Sequence, residues 1–404
     1  MSSNCKISLL FLLVSLISTK IYSQEQENLY NPITTGVLSL QVAPDARGAS
    51  MGDIGAATEP DVNSQFWNPS KYAFAYPKAE LSLNYTPWLR KIVNDIFLAD
   101  IMAYWKPGQD DNQAVSASLR YFSLGEVLTS PDYTGVGSAM ESLRPYEFSF
   151  DIGYSRKLSS KYSMGVVLRY ILSDLGFSVS YAGNQTTAAS AFSADLSGYF
   201  TTYPVIGRNE CQWSWGWNIS NIGTKVNYNN GEAPAFLPTN LKLGTTFMFP
   251  LADYHTLALS LDFNKLLVPV KPRESDYNMN DPEQADEYRD ALLAWQDMSP
   301  ITGIFKSFTD APGGFKEELR EINYSIGAEY SYNRQFFFRG GYYHESKYKG
   351  NRQYFGLGAG FSISVVKLDV AYMIATTPSS PLDQTLRFSL TLNVDGMKTL
   401  FGRK

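Results

Sequence analysis

From about residue 79 onward, apolar and polar residues alternate with a period of two, the pattern of β-strands that have one apolar and one polar face. The alternation is clearest at residues 146–154, 322–331 and 386–394. The same criterion predicts fourteen strands, an even number as in single-chain bacterial barrels. The predicted strands are residues 79–86, 95–106, 112–124, 145–158, 161–173, 189–202, 210–220, 238–250, 252–266, 321–332, 335–345, 352–364, 365–375 and 384–395.

The connections between these strands alternate in length. Short turns, such as residues 107–111, 159–160 and 333–334, occur at one set of strand ends, and longer connections, such as 125–144 and 267–320, occur at the other. Outer-membrane barrels show this asymmetry, because their periplasmic turns are short and their extracellular loops are long. The pattern therefore predicts an all-β fold, a transmembrane antiparallel β-barrel of about fourteen strands.

The polar face of the predicted strands is rich in charged residues. A charge in lipid is costly, so we expect these side chains to face the lumen, where opposite charges can pair. They are Arg120, Glu147, Asp151, Arg169, Asp195, Lys242, Asp262, Glu329, Arg339, Lys367, Asp369 and Arg387. Bracing of the interior is the first interpretation, and a specific permeation site is the alternative.

The composition agrees with a chain of which one face contacts lipid. Aromatic residues make up 14% of the chain, with 27 Tyr, 24 Phe and 7 Trp. Tryptophans near strand ends are expected to form belts at the membrane interface. They are Trp88, Trp105, Trp213, Trp215 and Trp217. The net charge of −5 gives no reason to expect a nucleic-acid partner.

The N-terminus predicts export. Lys6 precedes an apolar run at residues 7–17, and the small Ser23 precedes Gln24, so residues 1–23 are expected to be a cleaved signal peptide. Residues 24–78 lack strand alternation and are expected to form a periplasmic segment that partly plugs the barrel. The barrel itself is expected to span residues 79–395, followed by a periplasmic C-terminal tail at 396–404.

The long extracellular loop predicted at residues 267–320 is acidic, with 12 Asp/Glu against 6 Lys/Arg over residues 271–321. It contains a helix start, with Asp281 as cap, Pro282 at the first position and Gln284 completing a capping box. Apolar residues then recur at helical spacing. They are Tyr288, Leu292, Trp295 and Met298. This apolar face is expected to pack either on the barrel mouth or on a partner protein.

Catalytic chemistry finds little support in the sequence. The only histidines, His255 and His344, lie near predicted strand ends, where hydrated positions are expected. Ser346 shares the parity of His344, which leaves a membrane hydrolase as a weak alternative. No Cys/His cluster has metal-site spacing and no glycine-rich phosphate loop precedes a helix, so neither a metal nor a cofactor is expected.

Residues 43–74 read APDARGASMGDIGAATEPDVNSQFWNPSKYAF. This stretch resembles the N-terminal signature of the PorV (LptO) family of the type IX protein secretion system of Bacteroidetes. The signature positions are Pro44, Asp45, Arg47, Gly52, Asp53, Gly55, Asp61, Asn68 and Pro69. A looser core that includes Ala57 is similar to the start of FadL-type long-chain fatty acid transporters.

The resemblance implies a FadL-like barrel of the bacterial outer membrane that is not an enzyme. Family members bind the C-terminal signal domain of secreted cargo at the translocon and shuttle it to the surface attachment complex that contains the sortase. The implied partners are the type IX translocon barrel, cargo C-terminal domains, attachment-complex subunits and the lipid bilayer. The alternative function is FadL-like transport of long-chain fatty acids or other hydrophobic small molecules, which requires an apolar pocket in the lumen.

Overall fold

Fourteen antiparallel strands close into a barrel in the computed structural model, which describes residues 30–88, 95–109, 111–129, 141–175, 188–228, 233–376 and 383–401. The signal peptide predicted for residues 1–23 lies outside these ranges. The strands are β1 Ala79–Pro87, β2 Ile96–Trp105, β3 Gln113–Leu124, β4 Tyr146–Lys157, β5 Tyr162–Asp174, β6 Ala189–Thr202, β7 Gln212–Gly223, β8 Asn240–Ala252, β9 His255–Leu266, β10 Ile322–Tyr332, β11 Phe336–His344, β12 Gln353–Ile363, β13 Val366–Ala375 and β14 Leu386–Asn393.

Each strand pairs with its neighbours in the chain, and β1 pairs with β14 to close the barrel, in register from Glu80 opposite Asn393 to Tyr85 opposite Phe388. Side chains alternate along the strands between an exposed outer face and a buried inner face. On β3, for example, Leu119 is exposed whereas Arg120 is buried. Closure removes the free sheet edges that could not be satisfied in lipid. The predicted fourteen-strand barrel is confirmed.

The predicted strand ends differ from the observed ones by a few residues. The final strand was expected at residues 384–395 but ends at Asn393, where helix α6 (Val394–Phe401, numbered last in chain order) begins. The expected tail at 396–404 therefore starts inside this helix. Two small hairpins outside the barrel pair Val127–Thr129 with Glu141–Leu143 and Val205–Ile206 with Asn209–Glu210.

The two rims of the barrel differ as the sequence predicts. At the short-turn rim, β10 and β11 are joined through Asn333 and Arg334, and β12 and β13 through Ser364, all in the left-handed backbone region that tight reversals use. At the opposite rim, called the long-loop rim below, the connections include residues 224–239 and 267–321.

The helices precede the first strand, occupy the long connection between β9 and β10, and follow β14. In chain order they are α1 Ala46–Ser50, α2 Ser64–Trp67, α3 Pro282–Asp297, α4 Pro300–Lys306, α5 Phe315–Arg320 and α6. Single 3₁₀ turns occur at Leu38–Gln41, Pro69–Phe74 and Glu274–Asp276. None of the helices in the described part of the chain has the length and apolarity needed to cross a membrane.

The outer surface carries the aromatic residues expected at a membrane interface. Trp105, Trp213 and Trp215 are exposed on the outer face, and Trp217 is half-buried on the same face. Trp88 contradicts the prediction, because it lies inside the long-loop rim against the inward-facing Phe122, with ring centroids 6.3 Å apart. Alternation does not determine the direction of Trp88, since it follows the last residue of β1.

Candidate functional site

The N-terminal segment, defined as residues 31–78, packs against the inner wall of the barrel. Its residues from Ala43 to Gly52 are buried, and α1 contacts β11 to β14. The 3₁₀ turn Pro69–Phe74 contacts β3 to β6 on the other side of the barrel. The segment therefore bridges two sides of the lumen.

Arg47 joins this segment to the wall. Its guanidinium donates to both carboxylate oxygens of Glu329 on β10, each at 2.9 Å, and to Asp61 at 2.8 Å. Glu329 also accepts from Arg339, which in turn pairs with Asp369 at 2.7 Å. A bidentate pair between a guanidinium and a carboxylate is among the stronger polar contacts in proteins. The signature arginine therefore belongs to a charge network that extends into three barrel strands.

Asp45 and Asp61 organise the segment from within. Asp45 caps α1 by accepting from the backbone N–H of Gly48 at 2.7 Å, and it also accepts from the Trp67 indole at 2.6 Å. Burial raises the pKa of the Asp45 carboxyl to about 6, and the charge of Asp61 adds to the rise. Burial also acts on Asp61, but the Arg47 charge prevails and lowers its pKa.

Gly55 and Lys71 form a second attachment. The backbone N–H groups of Gly55 and Ala56 both donate to Asp262 of β9 at 2.9 Å. The Lys71 ammonium donates to the Gly55 carbonyl at 2.8 Å and to the Thr58 hydroxyl at 3.0 Å. Burial lowers the pKa of Lys71 to about 8. The chain itself therefore supplies the partners of the Lys71 ammonium and of one carboxylate oxygen of Asp262.

The remaining signature residues shape the backbone. Asn68 caps the turn that Pro69 begins and donates to the carbonyls of Ala56 at 2.8 Å and Gly198 at 3.0 Å. Pro44 is buried immediately before Asp45, the cap of α1. Asp53 accepts from Arg387 of β14 at 3.5 Å. Among the signature residues, only Asp53 also lines the cavity described below.

A row of glycines lets the N-terminal segment lie flat against the wall. Gly327, Gly341 and Gly356 are opposite one another in register on β10, β11 and β12. A Cβ at Gly327 would lie 2.6 Å from the Met51 carbonyl oxygen, and Cβ atoms at the other two would overlap carbonyls of the same stretch. Gly52 has a φ of +80°, and a Cβ there would meet the Tyr342 backbone. The wall and the segment therefore approach backbone to backbone.

A cavity of about 400 Å³ remains in the lumen beside the N-terminal segment. Its lining is mixed, since apolar residues such as Leu40, Phe66 and Met102 alternate with charged ones. The charged lining residues are Arg120, Arg169, Lys242, Arg352, Arg387, Asp53, Asp100 and Asp151. Several are already paired, such as Arg169 with Asp151 and Arg120 with Asp100, both at 2.8 Å.

The charged wall predicted from the sequence faces inward. Eleven of its twelve residues are buried, and Lys367 is half-buried. Arg169 pairs with Asp195 at 3.0 Å as well as with Asp151, and it also contacts Asn221, the left-handed residue at a bulge in β7. The described contacts fit bracing of the interior. The sequence missed that Glu329 and Asp262 hold the signature segment, because spacing alone does not show which distant charges meet.

Helix α3 in the long connection packs its apolar face on the chain itself. Trp295 is buried against Phe236 and Val268, with the Phe236 ring centroid 5.3 Å away, and Met298 packs on the same cluster. Tyr288 and Leu292 are half-buried. Partner binding by these four residues stays a prediction, and in this structure Trp295 has no free face for a partner.

The start of α3 agrees with the predicted cap in part. Asp281 accepts from the Glu283 N–H at 3.1 Å, and Pro282 is the first helical residue. The capping box is not reciprocal, because the side-chain Oε1 of Gln284 accepts from the backbone N–H of Asn278 at 2.9 Å. A 3₁₀ turn before the helix brings Asn278 close to the start of α3. The Asp281 N–H, which Gln284 is expected to satisfy in a capping box, donates instead to the Asn278 carbonyl.

Helix α5 is attached to the long-loop rim by buried ion pairs that the sequence analysis missed. Lys265 pairs with Glu318 at 3.0 Å and with Glu321 at 2.5 Å. Lys349 pairs with Glu317 and, at 3.0 Å, with Glu321. The sequence signal was the i, i+4 pair of Glu317 and Glu321, which places two acids on one helix face.

The histidines do not form a catalytic arrangement with described neighbours. His255 contacts the Tyr330 hydroxyl at 2.6 Å at the short-turn rim, and His344 stacks on Tyr324 with centroids 4.7 Å apart at the long-loop rim. Both lie in the outer aromatic belts. Among the described residues no three His, Cys, Asp or Glu side chains are arranged to hold a metal ion.

Comparison with solved structures finds similarity to several proteins at low sequence identity. A TodX monoaromatic hydrocarbon channel mutant has a TM-score of 0.50 and 13% identity, covering 86% of this chain and 98% of that chain. The Pseudomonas putida toluene transporter TodX has a TM-score of 0.47 and 12% identity, covering 85% and 95%. A Pseudomonas aeruginosa FadL homologue has a TM-score of 0.42 and 11% identity, covering 90% and 99%.

Comparison with curated proteins finds no match. Among protein families, the one described as "Type IX secretion system protein PorV" matches residues 23–273, which is more than half of the chain. The barrel fold and this family together assign the protein to the bacterial outer membrane. The chain belongs to the PorV family of type IX secretion system proteins.

Proposed function

We propose that this chain is a docking and shuttle subunit of the type IX secretion system and not an enzyme. In this role it binds the C-terminal signal domain of cargo at the translocon barrel and carries the cargo to the surface attachment complex with its sortase. The family match supports the link to secretion. The long-loop rim then faces the outside of the cell, in keeping with the usual asymmetry of such barrels.

The filled lumen is the observation that carries the docking role. Arg47, Asp262 and the glycine row hold the N-terminal segment across the inside of the barrel. We propose that this segment is a fixed plug. Removing such buried ion pairs is costly, so opening the lumen would require breaking several at once. A barrel closed in this way acts through its outer surfaces.

Helix α4 offers an outward apolar surface for a protein partner. Its Gly303 packs inward, since a Cβ there would lie 3.0 Å from Pro269 and 3.1 Å from Phe236. On the opposite side Ile301 is 55% exposed and Phe305 is 73% exposed. Exposed apolar residues grouped on one short helix are typical of interaction sites. The buried ion pairs of α5 and the Trp295 cluster of α3 hold this surface in place.

Replacing Ile301 and Phe305 by Ser tests the docking role in cells that lack the native protein. We expect surface-attached cargo to fall, while the amount of barrel and its heat-modifiable migration stay unchanged. Tyr76→Ser is the matched control, because Tyr76 is 93% exposed at the opposite rim. Deletion of residues 281–298 should abolish attachment altogether. Normal attachment in both the double variant and the deletion would contradict the proposal.

Transport of hydrophobic small molecules is the second candidate function, favoured by the cavity of about 400 Å³ and the fold of the structural neighbours. The cavity lining argues against it, since five cations and three carboxylates contribute to it. A fatty-acid uptake assay with the purified protein in liposomes distinguishes the two. Uptake above that of empty liposomes would favour transport.

A further inference from the structure

A depression of about 430 Å³ lies in the lipid-facing wall across β10, β11 and β12. Its side-chain lining is Ile326, Tyr342, Phe355 and Leu357. Gly340 stands between Ala328 and Leu357 in register, on the outer face. The first atom that a Cβ at Gly340 would meet is Leu357 Cδ2, at 3.6 Å. The backbone of Gly341 and Gly356 completes the lining of this apolar recess, and Gly340 borders the recess beside Leu357.

Helix α5 stands above this part of the wall, two residues before β10 begins. Its faces are segregated by the i, i+4 spacing. Glu317 and Glu321 point to the buried lysines of the rim, whereas Phe315 is 77% exposed and Leu319 is 52% exposed. Lys316 and Arg320 form a third, basic face. A helix with apolar and basic faces beside a lipid-facing wall has the character of an interfacial helix.

A basic group surrounds Tyr348 at the same rim. The Arg320 guanidinium lies 4.4 Å from the Tyr348 ring centroid, and the Lys347 ammonium lies 5.0 Å from it. Within the described residues, Lys316, Arg320 and Lys347 have no ion-pair partner. Three unpaired cations at the level of lipid headgroups are complementary to phosphate.

The recess lies at acyl-chain depth below this group. Ile326 is four residues below the start of β10, which is about 13 Å at the rise of a strand. Between the two levels, Tyr324 and His344 stack on the outer face, as belt residues at a membrane interface do. A lipid whose headgroup contacts the cations would therefore extend a chain into the recess.

We propose that this side of the barrel binds a phosphorylated, acylated lipid of the outer leaflet. Lys316, Arg320 and Lys347 hold the phosphate, Phe315 and Leu319 insert among the upper acyl carbons, and the recess that Gly340 borders takes one chain. The site goes beyond the docking role proposed above, since it requires only that the barrel reside in the outer membrane.

Native mass spectrometry of the full chain released from nanodiscs tests this site. The nanodiscs contain phosphatidylcholine alone or with lipid A. We expect the wild type to retain lipid A, and inorganic phosphate not to displace it. The triple variant Lys316→Gln, Arg320→Gln, Lys347→Gln should bind roughly a hundredfold more weakly, since each cation near an anionic surface contributes roughly fivefold. Gly340→Leu should also lower retention, because it fills the recess.

Two control variants keep the test specific. Lys78, Lys157 and Lys161 changed together to Gln remove three cations near the short-turn rim, and Ala103→Leu enlarges a lipid-facing residue outside the recess. Both should retain lipid A as the wild type does. Equal retention by the wild type, the triple variant and Gly340→Leu would overturn the proposal. So would a triple variant that keeps lipid A but no longer co-purifies with a protein partner.

Discussion

Arg47 donates two parallel hydrogen bonds of 2.9 Å to Glu329, and so ties the signature segment to the barrel wall across 282 residues of sequence. The same carboxylate accepts from Arg339, so one acid neutralises two cations in the lumen. This geometry gives the signature a physical meaning. Most of its residues build the attachment of the segment, and of them only Asp53 also lines the cavity.

Arg47→Ala is expected to loosen the N-terminal segment. Glu329 and Asp61 would lose a buried partner, and breaking a buried ion pair in this way costs about 3 to 5 kcal/mol. Planar-bilayer recordings should show a larger conductance for the variant than for the wild type. Arg144→Ala is the control, because that side chain is 80% exposed. Identical conductance and stability in both variants would contradict the sealing role of Arg47.

Gly341→Ala and Gly340→Ala form a matched pair of neighbouring substitutions. The methyl group at Gly341 would collide with Met51, so we expect a loss of about 1 to 3 kcal/mol. At Gly340 the methyl group would point outward, make only an ordinary van der Waals contact with Leu357 at 3.6 Å, and leave stability nearly unchanged. Urea titration of the refolded barrel measures both. Equal midpoints would show that backbone contact at the glycine row is not required.

Trp295→Ala is expected to detach helix α3 from the rim. Removing a buried indole from its contacts with Phe236 and Val268 costs about 3 to 5 kcal/mol. Hydrogen exchange across α3 should accelerate, whereas the barrel strands keep their protection. Leu293→Ala on the same helix is the control, since Leu293 is 51% exposed. If α3 exchanged equally fast in both variants, the cluster would not anchor the helix.

Asp310 predicts a pH dependence in the long connection. Burial raises the pKa of its carboxyl from the ordinary 3.8 to about 6, and the charges of Glu321 and Glu318 add to the rise. The folded state therefore binds more protons than the unfolded state between about pH 4 and 6, and stability falls as pH rises through that window. Above about pH 6 the full cost of burying the ionised Asp310 carboxylate lowers the stability.

Asp310→Asn removes this penalty while its side-chain oxygen can still accept from the Val270 N–H, a bond of 2.8 Å in the wild type. Exchange of that amide, corrected for intrinsic rates, should be slower in the variant near neutral pH. The difference should shrink as pH falls toward 4 and vanish below it, where the wild-type carboxyl becomes protonated in both states. A difference that is independent of pH would point to a cause other than the charge.

The barrel could be predicted because strand alternation is a local signal. The antiparallel pairing of β1 with β14 follows from closure with an even number of strands. Trp88 was misplaced because it lies beyond the last residue of its strand, where parity no longer fixes direction. The bidentate ion pair between Arg47 and Glu329 was not predictable either. It depends on how a segment that lacks apolar–polar alternation folds inside the barrel.

The contacts of the helices at the long-loop rim also could not be predicted in full from the sequence. The apolar spacing of α3 predicted a buried face, but not that Trp295 meets Phe236 from a different connection. Glu317 and Glu321 share a helix face in the sequence, yet their partners Lys265 and Lys349 come from two other parts of the rim. Periodicity thus gives the face of an element, whereas long-range contacts decide its partner.

Locking the plug in place tests the claim that the barrel works with its lumen closed. Asn63 and Ser82 contact each other at 2.8 Å between segment and wall, so Cys at both positions, in a Cys211→Ser background, can be joined by a short bis-methanethiosulfonate reagent, whose two disulfide bonds a reductant cleaves. We predict that cells carrying the cross-linked protein attach cargo to their surface as well as untreated cells do. Loss of attachment on cross-linking, with recovery on reduction, would contradict the claim.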